Sequence, residues 1–259
     1  MGAGRSFFPL TAGHAWFVSH LAAIQSFFIA PVTSVGHICY TTLYMLESLF
    51  TSPVSFGLWF GALLIAITVH EYAHAWMADR LGDPTARLSG RLTLNPLAHL
   101  DPLGTLMLLL FRFGWGKPVP FDPYNLRSPR RDAALISFAG PASNLLLAVV
   151  LAVIIRLAHL ILGSPAYLVE LVLTPILGLS VMLAIFNLLP VHPLDGGKIL
   201  IGILPWDLAD KWEAILNQYG LIIILLLIFP IFGFSLVNVI ISPIISLILA
   251  ILLPGTPLI

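Results

Sequence analysis

His70 and His74 stand four residues apart, with Glu71 beside the first of them. On a helix this spacing puts both imidazoles on one face. Two such rings can share a zinc ion, and the neighbouring carboxylate can take a proton from an attacking water. His70-Glu71-Tyr72-Ala73-His74 is a short motif and carries little weight in a soluble chain. Here it lies near the end of an apolar run, residues 56–77, long enough to cross a bilayer. A carboxylate in that setting costs about 2.5–3.5 kcal/mol on insertion scales, so its presence calls for a reason. Metal chemistry is one; a polar knot holding helices together is the plainer alternative.

A catalytic zinc usually has three protein ligands and an open position. Asp195 is the best candidate for the third. It lies in Asn187-Leu188-Leu189-Pro190-Val191-His192-Pro193-Leu194-Asp195-Gly196-Gly197, just past the apolar run 167–189. Both the His pair and Asp195 sit toward the C-terminal ends of their segments. They reach one depth only if those segments run parallel, which requires an odd number of spans between them. The run 133–162 supplies one. The competing reading of Asp195 is a turn residue, since Asp-Gly is a common turn pair.

The surrounding elements must therefore be membrane helices. Of the 259 residues, 59% are hydrophobic and 9% charged, with a mean hydropathy of +1.00. Soluble domains carry about 25% charged residues, so the bilayer is the solvent for most of this chain. A net charge of zero gives no sign of a nucleic-acid partner. The single cysteine, Cys39, excludes an intrachain disulfide.

Spans are expected at 56–77, 133–162 and 167–189. Residues 219–253 are apolar but broken by Pro230, Gly233 and Pro243, giving one kinked span or a hairpin. Residues 11–30 and 35–50 add one or two more; His14, His20 and Gln25 interrupt the first and argue against a cleaved signal peptide. Residues 103–111 are too few to cross and suit a re-entrant piece. Leu88, Leu92 and Leu94 alternate with polar residues, which predicts a strand. The expected fold is an all-α polytopic membrane protein of about six transmembrane helices. It carries a small membrane-associated β element and a re-entrant segment between the first motif helix and the next span. Residues 1–259 read as a single membrane-embedded domain: N-terminal membrane segments in 1–55, a catalytic core in 56–200 and a C-terminal membrane segment in 201–259. Eight of the twelve Lys and Arg residues fall between Asp79 and Asp132, so this connection is expected on the cytoplasmic side.

The motifs together resemble the site-2 protease family of intramembrane zinc metalloproteases. The resemblance covers roughly residues 64–205. It rests on the His70–His74 motif, Leu81-Gly82-Asp83-Pro84, Gly90-Arg91-Leu92-Thr93-Leu94-Asn95-Pro96, Ala139-Gly140-Pro141-Ala142-Ser143-Asn144 and the Asn187–Gly197 segment, in that order. It implies one Zn2+ per chain held by His70, His74 and Asp195, with Glu71 as general base. It implies a multi-pass protein of the cell membrane that cleaves transmembrane segments of other proteins, and a compact prokaryotic-type member without PDZ or CBS domains.

Asn144 is expected at the active site, holding the substrate backbone or a developing oxyanion; a helix-to-helix hydrogen bond is the alternative. Gly140 and Pro141 are expected to allow close helix approach or a kink. His192, where related sequences commonly have proline, can line the site or be an interfacial histidine. His99 and Asp101 read as loop-stabilising. A transporter with a zinc site and a silent scaffold are the other classes, but the chain shows no paired repeats and keeps Glu71 beside both histidines.

Overall fold

A computed structural model describes residues 52–111, 114–228 and 236–253 of the chain. The spans expected at 11–30 and 35–50, with His14, His20, His37 and Cys39, lie outside the described residues.

The described residues are mostly helical. Helix α1 (Pro53–Arg80) has 28 residues, and Pro53 opens it where a missing N–H costs nothing. A four-residue helix, α2 (Thr85–Leu88), and a ten-residue helix, α3 (Pro102–Phe111), follow. Helix α4 (Pro129–Leu162) has 34 residues and ends at Gly163, whose φ of +62° favours glycine. Helix α5 (Ala166–Asn187) has 22 residues. Then come α6 (Asp195–Ile203), α7 (Trp206–Ile228) and α8 (Leu236–Leu252). At about 1.5 Å per residue, α1, α4 and α5 all exceed the ~30 Å hydrocarbon thickness. Among the described residues these three alone are long and apolar enough to cross a membrane.

Helices α1, α4 and α5 pack against one another pairwise. Small residues make this close: Ala62 and Ala66 of α1 and Ala148 and Ala152 of α4 are buried around Leu177, Leu179 and Val181 of α5. With no water to drive helices together inside lipid, close van der Waals packing of this kind holds a bundle. The outward side chains of α4, among them Leu146, Val150, Val153 and Leu157, are exposed and apolar, as a lipid-facing surface requires. Helices α7 and α8 touch each other and α8 leans on α5, so residues 219–228 and 236–252 of the apolar run lie in two packed helices.

The strand expected over residues 88–94 does not form; no strand occurs among the described residues. Leu88 ends α2, and Gly90 takes a φ of +68°, which breaks an extended run. The alternation was also misleading in sign. Leu88 and Leu94 are exposed, whereas Arg91 is buried, with its guanidinium donating to the carbonyls of Ala98, Lys117 and Pro118. An inward arginine satisfied by carbonyls reverses the face that the hydrophobic pattern predicts. The one extended pairing in this region is an isolated antiparallel bridge between Leu100 and Gly116.

That bridge closes the base of a loop containing α3. Asp101 Oδ1 accepts from Gly104 N at 2.7 Å, which starts the helix. Ten residues reach about 15 Å, too short to cross. The Leu100–Gly116 bridge brings the two ends of this loop together. His99 is fully buried, with its Nε2 2.8 Å from Thr93 O, in the loop-stabilising role expected of it.

Asp83 ties the end of α1 to the approach of α4. Its buried carboxylate accepts from Thr85 N (3.0 Å), Thr85 Oγ1, Asp122 N (2.7 Å) and Asn125 Nδ2 (2.8 Å). Burial pushes this carboxyl up, but the donors outweigh it and hold it below its ordinary 3.8. Asp83→Ala would strand these donors and is expected to cost about 1–3 kcal/mol, read as a lower thermal midpoint in detergent. A carboxyl with a depressed folded value stabilises above its unfolded value. The gap between parent and Asp83→Asn is therefore expected to be full at neutral pH, to begin closing below 3.8 and to be lost as the pH falls through the lower folded value. A gap unchanged down to acid pH would show that the charge of Asp83 contributes nothing.

Candidate metal centre

His70 and His74 lie on the face of α1 that packs against α4, and both are buried. Their partners on α4 are spaced by four as well. His74 Nδ1 lies 2.7 Å from Ile136 O, and His70 Nδ1 lies 3.3 Å from Asn144 Nδ2. Between these two contacts sits Gly140. A Cβ built there would stand 2.5 Å from His74 Cε1 and 2.7 Å from His70 Nε2. Residues 136, 140 and 144 thus form one row on α4, facing the His70–His74 row on α1, as packing of fourfold ridges requires. Glycine at the centre leaves room for the two rings.

With both Nδ1 atoms engaged on α4, both Nε2 atoms face Asp195. Asp195 Oδ2 is 3.0 Å from His70 Nε2 and 3.2 Å from His74 Nε2. A tetrahedral ion with ligand bonds of about 2.0–2.1 Å spaces its ligands about 3.3 Å apart. Two imidazole nitrogens and a carboxylate oxygen, all within 4.8 Å of one another, therefore suit zinc in both chemistry and spacing. Burial pushes the Asp195 carboxyl up, but its hydrogen bonds with His70 and His74 and the charge of the two rings hold it far below the ordinary carboxylate range.

Asp195 is the first residue of α6. Its position there is fixed by the glycine after it, since a Cβ at Gly196 would run into the carbonyls of Leu188 and Leu189. The Asp-Gly pair thus records close backbone packing at the head of a helix. The parity expected of the spans also holds: one membrane-length helix, α4, separates α1 from α5.

Glu71 is half-buried beside the cluster. The backbone of the α3 loop passes against it: a Cβ at Gly116 would lie 3.7 Å from Glu71 Oε1. His192 does not join the metal cluster. Its backbone carbonyl instead packs at Gly220 of α7. Burial and the nearby Lys198 hold the His192 ring below its ordinary value, against the opposing charge of Glu213.

Three contributors escaped the sequence reading. The Ile136 carbonyl leaves no trace in sequence, because any residue offers one. Arg91 fixes the loop that bears on Glu71, but it was hidden in an apparent strand. Lys198, three residues after Asp195, sits with its Nζ 4.6 Å from the centre of the Phe121 ring. Burial lowers its value, while the charges of Asp195 and Glu71 oppose that. The spacing of Lys198 from Asp195, one turn along α6, was the available signal.

The sequence profile described as "Peptidase family M50" matches residues 163–227. A protein of Bacillus subtilis (strain 168) named "Putative zinc metalloprotease YwhC" is 39% identical over 175 residues, which is 64% of this chain and 77% of that protein. "Putative zinc metalloprotease Rip2" of Mycolicibacterium smegmatis (strain ATCC 700084 / mc(2)155) is 35% identical over 178 residues, 64% of this chain and 65% of that protein. "Zinc metalloprotease MJ0392" of Methanocaldococcus jannaschii is 23% identical over 157 residues, 61% of this chain and 37% of that protein. No solved structure matches the chain. The chain belongs to peptidase family M50, the site-2 proteases. It is a zinc metalloendopeptidase, and its apolar helices mark it as a membrane protein.

Proposed function

We propose that this chain hydrolyses peptide bonds within or near the transmembrane segments of other membrane proteins. His70, His74 and Asp195 would hold the zinc and Glu71 would act as general base. The observation that carries this reading is the convergence of three zinc-type donor atoms within 4.8 Å, two of them on a helix built to cross a membrane. A site carried on such a helix would meet substrates that are themselves in the bilayer.

The roles follow from the geometry. Bound zinc would supply Lewis acidity to the scissile carbonyl. Glu71, adjacent to the first ligand, takes a proton from the attacking water and returns it to the leaving amine nitrogen. The Gly116 segment narrows the approach to Glu71. Asn144 belongs to the same centre. A substrate helix must unwind locally to present a carbonyl, because its backbone is closed by internal hydrogen bonds. The catalytic core would lie in 56–200 within one membrane-embedded domain. The basic connection from Arg80 to Arg131 supports a multi-pass orientation with the site toward the cytoplasmic side.

The test is purified protein in lipid with a single-span model substrate. Cleavage inside the span, with Asp195→Ala losing both zinc and cleavage, is the expected result. Full zinc retention by Asp195→Ala would remove Asp195 from the ligand set. Cleavage confined to soluble peptides would reject the intramembrane reading.

A further inference from the structure

Asn144 is fully buried in the middle of α4, and its amide faces the His70 ring. The amide nitrogen stands 3.3 Å from His70 Nδ1, and the amide oxygen is buried with no hydrogen-bond partner. The other nitrogen of the ring, Nε2, faces Asp195 Oδ2 at 3.0 Å. With the amide placed this way round, the distances fit the following pattern of protons. His70 Nε2–H donates to Asp195, and His70 Nδ1 accepts from the Asn144 amide.

Ligation reverses that pattern. A neutral imidazole carries one proton. If Nε2 gives its lone pair to a metal, the proton must sit on Nδ1, which then needs an acceptor. An amide N–H held against Nδ1–H would set two donors face to face. A half-turn of the Asn144 amide exchanges its two ends and brings the orphaned oxygen onto Nδ1 without moving any other group. His74 already shows the finished arrangement, with its Nδ1 2.7 Å from the carbonyl of Ile136 on the same row of α4.

We infer that Asn144 is a positioning residue for the metal site: its amide oxygen accepts the His70 Nδ1 proton, fixing the ring and the tautomer that frees Nε2 for zinc. It does so from a side chain fully enclosed by protein. The helix α4 row then works as a template, with Ile136 holding one ring, Asn144 the other and Gly140 making room for both. The inference rests on His70 being a zinc ligand.

Zinc affinity by chelator competition separates the possibilities without recourse to activity. Asn144→Leu keeps the shape and removes the acceptor; it is expected to bind zinc about 10–100-fold more weakly, the usual effect of losing such a partner. Asn144→Asp keeps an acceptor in place and is expected to bind as tightly as the parent or more so. Parent-like affinity in Asn144→Leu, or equal weakening in both variants, would overturn the inference. So would parent-like affinity in both variants with peptidase activity lost, which would assign the amide N–H to the substrate. Should Asn144→Leu fail to fold, nitrogen NMR of the zinc-loaded parent decides: a protonated His70 Nδ1 is expected, and an unprotonated one overturns the inference. His70→Ala provides the separate control, because unchanged zinc affinity there would reject the ligand assignment itself.

Discussion

Glu71→Gln is expected to retain its zinc and lose peptidase activity by about 10²–10⁴-fold, the range over which a positioned general base contributes. The substitution is nearly isosteric. It removes a half-buried carboxylate that is adjacent in sequence to the first ligand and is not one of the three donors. The amide can still hydrogen-bond but cannot accept a proton from water near neutral pH. Metal content should stay near one zinc per chain, because His70, His74 and Asp195 are untouched. KM should change little, since the loss falls on proton transfer. A rate equal to the parent's, with zinc in place, would take the base role away from Glu71. Loss of zinc in this variant would instead make Glu71 part of the metal's support.

Gly140→Ala is expected to damage the centre as severely as deleting a ligand, although it adds only a methyl group. That methyl would fall 2.5 Å from His74 Cε1 and 2.7 Å from His70 Nε2, well inside contact distance. Neither ring can step aside without breaking its tie to the same helix, at Ile136 for His74 and at Asn144 for His70. Helix α4 would have to move away from α1, carrying those partners with it. Zinc occupancy and activity should fall together, and high zinc concentrations should restore both in part. Gly61→Ala is the control, since a Cβ there meets nothing within 4 Å and zinc binding should be unaffected. Wild-type zinc affinity in Gly140→Ala would show that α4 does not template the rings.

Much of the centre was legible because it is local. The spacing of four between His70 and His74 puts two rings on one helix face whatever else the fold does. Composition and run length dictated membrane helices at 56–77, 133–162 and 167–189, and the structure forms them as α1, α4 and α5 with ends shifted by at most four residues. Even the long-range pairing with Asp195 was accessible, because span parity restricts which ends share a depth.

What the sequence could not decide depended on direction and distance in three dimensions. Periodicity assumes that apolar residues turn inward, so it read 88–94 as a strand. Arg91 turned inward instead, because three backbone carbonyls needed its donors more than the core needed the leucines. No sequence pattern marks the Ile136 carbonyl as a partner for His74. Only packing of α1 on α4 reveals that Gly140 is set by the width of two rings, or that Asn144 reaches His70 first. The motif His70-Glu71-Tyr72-Ala73-His74 by itself determined which atoms can bind a metal. The tertiary structure decided which nitrogen of each ring faces it, because that choice belongs to the groups on α4 holding the other nitrogen.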